Sequence, residues 1–308
     1  MALLEVKNLK VHFPIRRGIL SRIKGYVKAV DDISFTINPG ETVGLIGESG
    51  SGKSTTGKAI LGLAPLTSGT VFFNGENITK YIGKNRSTYR KDVQMIFQDV
   101  SSALNPRKRV MDILLEPIKN YENLTKLEQQ KRVDELLSIV GMPSQAAMKY
   151  PFEFSGGQRQ RLGVARAIAL KPKLIVADEP VSALDLSVQA QVLNYLKEIQ
   201  EQLKLAYLFI SHDLGVVKHM CETLAIMHNS RFVEFGSRDD IYRNPQHIYT
   251  RRLVTAIPDT DPKMRDTNAE KRAQLTAEYE SQYSMYYGDN GRVYDLKKIS
   301  ESHYVATE

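Results

Sequence analysis

The apolar positions of this chain change period several times, and each change marks an element. Residues 3–13 and 27–37 alternate apolar and polar side chains, the pattern of half-buried strands. Between them Pro14 to Gly25 reads as a basic loop bounded by glycine, and Pro39-Gly40 as a turn. Thr42-Val-Gly-Leu-Ile46 is a continuous apolar run that suits a buried strand, and Ser54 to Leu63 can wind as a helix behind it. A strand over 69–73 ends in an Asn74-Gly75 turn, and Val93 to Phe97 is a short apolar strand ending at Gln98. Residues 109–149 take helical spacing, with Thr125 and Glu128 at capping-box positions. Leu136, Leu137 and Val140 continue one apolar face until Gly141 and Pro143 end it. A second helix spans about 156–170 and stops before Pro172.

Leu174 to Ala177 and Ala206 to Ile210 are again continuous apolar runs, with a helix over about 187–203 between them. That is a βαβ unit, so the class is α/β with a mostly parallel sheet. Residues 223–235 suit a final hairpin. Past Pro258 the period is lost. Residues 259–308 are polar, mixed in charge and rich in tyrosine, which predicts a loosely attached tail, with a folded regulatory element as the alternative. There is no internal repeat and no long heptad array.

Composition narrows the picture. The 308 residues suffice for one large domain or two small ones. No run approaches the roughly 18–20 apolar residues of a transmembrane helix. The start, Met1-Ala-Leu-Leu-Glu-Val, reads as a strand and not as a signal peptide, so cytosolic residence is the default. Cys221 is the only cysteine, which excludes an intrachain disulfide and a cysteine-based metal cluster. It reads as a small buried hydrophobe. The net charge of +7 is scattered apart from short groups such as Arg16-Arg17 and Arg107-Lys108-Arg109, so nucleic acid is not an expected partner.

Candidate chemistry concentrates in three places. Gly47-Glu48-Ser49-Gly50-Ser51-Gly52-Lys53-Ser54, followed by Thr55, fits G-x-x-x-x-G-K-[ST] between a strand and a helix. Glycines let the backbone approach a ligand, and N–H groups at a helix start converge on phosphate oxygens. Lys53 would neutralise β/γ charge and the Ser54 hydroxyl would ligate Mg2+. Asp178 then falls at the end of a buried strand, where it can hold the hydration shell of Mg2+, and Glu179 beside it can polarise attacking water. Finally, Ser155-Gly156-Gly157-Gln158 opens a helix that Ser155 can cap, with glycines leaving its N-terminus bare for an anion.

Taken in order over residues 3–240, these stretches resemble the ATP-binding-cassette (ABC) ATPases. Ser155 to Gln158 is similar to their signature motif, Gln98 to the Q-loop glutamine, Ser182 to Asp185 to the D-loop, and His212 to the switch histidine. The resemblance implies a P-loop NTPase fold of the ABC ATPase type. It comprises a RecA-like core, an N-terminal antiparallel β subdomain and a helical signature subdomain over about 100–170. Residues 1–258 would be the nucleotide-binding domain, with a family C-terminal segment at 236–258, and 259–308 the polar tail. The resemblance further implies ATP and Mg2+, the latter managed by Ser54, Gln98 and Asp178. Glu179, His212 and Gln98 would be catalytic, and a head-to-tail dimer would set each phosphate loop against the other protomer's Ser155 motif. An aromatic near the N-terminus would stack on adenine, Phe13 by its place at the end of the first strand, with Tyr26 as the rival and a core role open for either.

Finer resemblance points to the oligopeptide/dipeptide importers. It rests on Ser102-Ala-Leu-Asn105-Pro106-Arg107, on Asp178 to Asp185, on Gln189-Ala-Gln-Val-Leu193, and on Asn244-Pro245 with His247-Ile-Tyr249-Thr250 and Ala256-Ile-Pro258. The basic insertion from Arg16 to Tyr26 favours the F-type subunit. Implied partners are a D-type ATPase, two membrane permeases docking near residues 98–120, and an extracellular or periplasmic peptide-binding protein. The implied place is the cytoplasmic face of the membrane, as a peripheral subunit. Cysteine ligands for the iron–sulfur cluster of some members are missing, so no cluster is expected. Import of another small solute such as nickel is the alternative within the family. A soluble DNA-repair or chromosome ATPase is the alternative outside it, although residues 56–154 leave no room for a coiled coil.

Overall fold

The computed structural model describes residues 1–18, 21–81, 87–182, 184–257 and 265–308. In chain order they form β1 (Leu4–Arg17), β2 (Arg22–Ile37), β3 (Thr42–Ile46), α1 (Lys53–Ile60), β4 (Ser68–Phe73), β5 (Glu76–Asn77), α2 (Ser87–Asp92) and β6 (Val93–Ile96). Then come α3 (Val100–Ala103), α4 (Val110–Lys119), α5 (Lys126–Ile139), α6 (Gly156–Ile168), β7 (Leu174–Asp178), α7 (Leu186–Leu203), β8 (Ala206–Ser211) and α8 (Leu214–Met220). The chain closes with β9 (Thr223–His228), β10 (Arg231–Ser237), α9 (Arg238–Arg243), α10 (Ile248–Thr255), α11 (Arg265–Ser281), α12 (Tyr283–Tyr286), β11 (Leu296–Lys298) and β12 (Tyr304–Ala306). They divide into two compact units: Met1–Ile37 with Thr42–Lys80 and Phe209–Glu308, and Asn38–Glu41 with Tyr81–Leu208.

The first unit carries an antiparallel sheet in the order β2-β1-β4-β5. Leu4, Val6, Leu9 and Val11 of β1 and Val30, Ile33, Phe35 and Ile37 of β2 are buried, as the alternation predicts. The expected loop from Pro14 to Gly25 is instead a continuation of both strands, with Pro14 opposite Tyr26 and Arg17 opposite Arg22. Ile19 and Leu20 lie outside the described residues. The proline is tolerated because β4 stops pairing with β1 at Lys10, opposite Ser68. Beyond that point β1 has, among the described residues, a strand partner on one side only, and the missing N–H can face the open edge.

The same unit holds β3 parallel to β9, with Val43 opposite Thr223 and Ile46 opposite Ile226. The hairpin expected over 223–235 is β9-β10, turned by Asn229 and Ser230 at φ 45° and 68°. The expected tail is corrected here: its described residues fold. β12 pairs with β10, Glu234 opposite Val305, and β11 pairs with β12. Tyr287, Val293, His303, Val305 and Ala306 are buried. The anchor is polar. The Glu234 carboxylate, fully buried, accepts from the Gln246 and His247 backbone N–H groups at 2.8 and 3.0 Å and lies 2.7 Å from His303 Nε2. A polar segment can leave water where its buried carboxylate and imidazole find partners.

In the second unit β6 and β7 are parallel, Val93 opposite Leu174 and Ile96 opposite Ala177. Every residue of β7 is buried, the two-sided burial its apolar run predicts. Thr125 caps α5 in a capping box with Glu128, and Leu136, Leu137 and Val140 are buried.

Candidate nucleotide site

In the first unit β3 delivers Gly47 and α1 begins at Lys53. A Cβ on Gly47 would stand 2.0 Å from the Met227 carbonyl oxygen, and one on Gly52, at φ 108°, 2.1 Å from that of Ala29. The loop is therefore laid directly on the backbone of β9 and β2, and only glycine fits at both places. Gly50, at φ 82°, meets nothing within 4 Å, so the tip is open. No side chain caps α1. Lys53 is 4% exposed, and its Nζ donates to the Gly47 and Glu48 carbonyls at 2.7 and 2.8 Å. Ser51 Oγ is buried without a hydrogen-bond partner among the described residues. Ser54 and Thr55 are half-buried in the first turn, while Glu48 and Ser49 are exposed. A buried cation, an open glycine tip and an uncapped helix start together fit a polyphosphate.

His212 belongs to the same unit and is exposed directly after β8. The turn behind it is fixed by the Asp213 N–H on Ser211 Oγ at 3.0 Å and by Gly215 N–H on the Asp213 carboxylate at 2.7 Å. In the β1-β2 hairpin Phe13 lies opposite Val27 and Tyr26 opposite Pro14, and at 38% and 56% exposed neither is a core residue. Cys221 is buried as expected, and burial pushes its thiol well up, which leaves it unreactive.

In the second unit β7 ends at Asp178, which is buried. Glu179 follows at φ 47°, a left-handed conformation that costs a non-glycine residue about 1 kcal/mol. The Ser182 N–H and hydroxyl hold its carbonyl at 3.3 and 3.1 Å. This turn brings the Glu179 carboxylate to Gln98, whose Nε2 donates to it at 2.9 Å across 81 positions of sequence. The amide carbonyl of Gln98 is then the side that can meet a cation. Within this unit the Gln98 carbonyl and the Asp178 carboxylate are oxygen donors, the ligand type that Mg2+ takes, and in the first unit the Ser54 hydroxyl is another.

Ser155 caps α6 as the sequence predicts. Its Oγ accepts the Gln158 N–H at 3.4 Å, and Gln158 Oε1 accepts the Ser155 N–H at 3.0 Å. Gly156 and Gly157 form the first turn. Ser155 to Gln158 line a cavity of about 700 Å3 together with Arg161 and Asp185 of the D-loop stretch. Ala183, within that stretch, and Pro258 lie outside the described residues.

Sequence reasoning missed Tyr249. Its hydroxyl accepts the Glu48 backbone N–H at 3.1 Å, so α10 touches the phosphate loop. The two residues are 201 positions apart, and His247-Ile-Tyr249-Thr250 carries no spacing that betrays the contact.

A buried strand leading into a glycine loop and a helix with a buried lysine defines a P-loop nucleotide-binding cassette. Residues 30–182 match the ABC transporter profile, and 233–283 match that of the oligopeptide/dipeptide transporter C-terminal region. The second match runs beyond 258, the expected end of the family segment. The chain is 55% identical to the oligopeptide transport ATP-binding protein OppF of Lactococcus lactis, over 99% of this chain and 95% of that one. It is 45% identical to OppF of Bacillus subtilis, over 98% and 95%. A dimeric ATP-binding cassette solved in a post-hydrolysis state with ADP and Pi superposes with TM-score 0.65 at 26% identity, over 76% of this chain and 98% of that one. The chain belongs to the ABC transporter family. Among its described residues no helix is long and apolar enough to cross a membrane.

Proposed function

We propose that this chain is the ATP-hydrolysing subunit that powers oligopeptide import through a membrane permease. The observation that carries this is the near-full-length match to relatives named for oligopeptide transport. The match also covers the C-terminal region that a bare ATPase core would not need.

Gly47 to Thr55 bind the triphosphate, with Lys53 compensating its charge. Ser54, Gln98 and Asp178 would hold Mg2+, which would neutralise charge on the triphosphate. The Glu179 carboxylate orients and polarises the attacking water, and Gln98 holds that carboxylate in place. His212 contacts the γ-phosphate, and Phe13 or Tyr26 stacks on adenine. Ser155 to Gln158 and Asp185 complete the nucleotide site of a second cassette, a D-type ATPase. Catalysis is then mainly positioning and charge stabilisation. The pair sits on the cytoplasmic face of the membrane, against two permeases that take substrate from a peptide-binding protein.

Glu179→Gln tests the chemistry. The variant, assembled with its natural partners, should bind ATP as the parent does and hydrolyse it about 100-fold more slowly or worse. Parental turnover would remove Glu179 from the reaction. Permeases and a peptide-binding protein should co-purify with the chain from membranes, and their absence would remove the transport reading.

A further inference from the structure

A chain of rings leads from the C-terminal segment to the phosphate loop. Tyr249, in the first turn of α10, is 2% exposed and accepts the Glu48 N–H. The Glu48 carbonyl accepts from Lys53 Nζ. One residue of the loop is thus held from both sides, by a tyrosine on its N–H and by the phosphate-binding lysine on its C=O.

Behind Tyr249 stands His228, stacked at 4.1 Å between centroids. His228 ends β9, next to Met227, whose carbonyl closes on Gly47. His228 Nδ1 shares a 2.9 Å hydrogen bond with the hydroxyl of Tyr287. Tyr287 is 1% exposed, stacks on Tyr283 at 4.3 Å and meets Tyr279 edge-on at 6.1 Å. The Arg252 guanidinium covers Tyr279 at 4.5 Å. His247 accepts the Tyr249 N–H through Nδ1 at 3.1 Å and packs on Tyr286 at 4.4 Å. Burial holds both phenols protonated, and burial with the nearby Arg252 charge pushes His228 down to about 4. Tyr249, His228 and Tyr287 are therefore neutral, and what they transmit is position.

Phenylalanine would fill these places without burying a hydroxyl that needs a partner. The Tyr249 hydroxyl instead spends its hydrogen bond on the loop, and that of Tyr287 on the ring that backs Tyr249.

We propose that Tyr249 is a positioning residue for the phosphate loop. Its hydroxyl fixes the Glu48 peptide and with it the seat of Lys53. Tyr279, Tyr283 and Tyr287 lock Tyr249 in place, so the C-terminal segment tunes nucleotide affinity in cis. The inference rests on the reading of Gly47 to Thr55 as a triphosphate site.

The test is titration of the full-length chain with a fluorescent ATP analogue and Mg2+, alongside thermal melts. Tyr249→Phe keeps the ring and removes the acceptor. It should weaken binding about fivefold, the worth of one hydrogen bond, with little change in melting temperature. Tyr287→Phe should weaken binding about twofold, since it acts one ring further away. The double variant should bind no worse than Tyr249→Phe alone, because Tyr287 works through Tyr249. Parental affinity in Tyr249→Phe, or two effects that simply add, overturns the proposal. If Tyr249→Phe does not fold, Tyr287→Phe decides, and parental affinity there overturns it. Lys53→Ala is the reference: it should abolish binding, and if it does not, the triphosphate reading fails instead.

Discussion

Gly47 to Lys53 and Ser155 to Gly157 both open a helix with glycines, yet their glycines answer to different neighbours. At the phosphate loop the reason lies inside the chain: a Cβ on Gly47 or Gly52 would drive into a backbone carbonyl. At the signature stretch a Cβ on Gly156 would rest 3.9 Å from Leu184, an ordinary contact, and one on Gly157 would meet a side-chain methyl of Val188 at 2.9 Å. The first helix has no side-chain cap and the second has a complete capping box. One half-site is thus over-determined by its own unit. The other is a stable helix start whose glycine at 156 is required by none of the described residues. In the proposed function that cause is the nucleotide of a second cassette, which needs a bare surface to approach.

The largest effect that tests this contrast is steric. Gly47→Ala should cost about 3 kcal/mol or more in denaturant unfolding and abolish nucleotide binding. Gly156→Ala should stay within about 0.5 kcal/mol of the parent. Similar losses at the two sites would break the comparison.

Acid sharpens it next. All six histidines of the chain lie in the first unit. Burial, first of all, pushes His228 down from 6.5 to about 4 and His247 to about 3, with Arg252 adding to the first and His228 to the second. Their folded values lie below the unfolded ones, so the stability they contribute is complete above 6.5 and is lost as pH falls towards those values. At pH 5 the loss is about 2 kcal/mol for each. Hydrogen exchange, corrected for intrinsic rate, should therefore speed up between pH 7.5 and 5 in β9, α10 and α12 and change little in α4 to α6. Uniform acceleration would deny the contrast.

The smallest effect is at the cap. Ser155→Ala should destabilise the protein by about 1 kcal/mol in a denaturant melt and leave the phosphate loop's affinity in the isolated chain unchanged. A loss of that affinity would mean that the two helix starts are not independent.

Much of the site was legible because its chemistry is local. The glycine loop, the Asp178 strand end, the Ser155 cap and the Thr125 capping box each declare themselves within eight residues, through backbone rules that need no distant partner. From the sequence the β1-β2 hairpin looks shorter than it is, because Pro14 looks like a breaker until the open edge of β1 is seen. The C-terminal segment was misjudged for a related reason. Its polar and tyrosine-rich composition lacks a period, and its stability comes from pairings such as His303 with Glu234 and Tyr287 with His228.

From its residues alone, then, the chain declares an α/β nucleotide cassette, because strand burial, helix capping and phosphate loops are written in short-range patterns of size, polarity and glycine. Only the tertiary structure decides that Gln98 reaches Glu179, that Tyr249 reaches the Glu48 amide, and that the last residues complete a sheet. Those contacts join positions tens to hundreds of residues apart, and a buried polar group shows its partner only once the chain has closed around both.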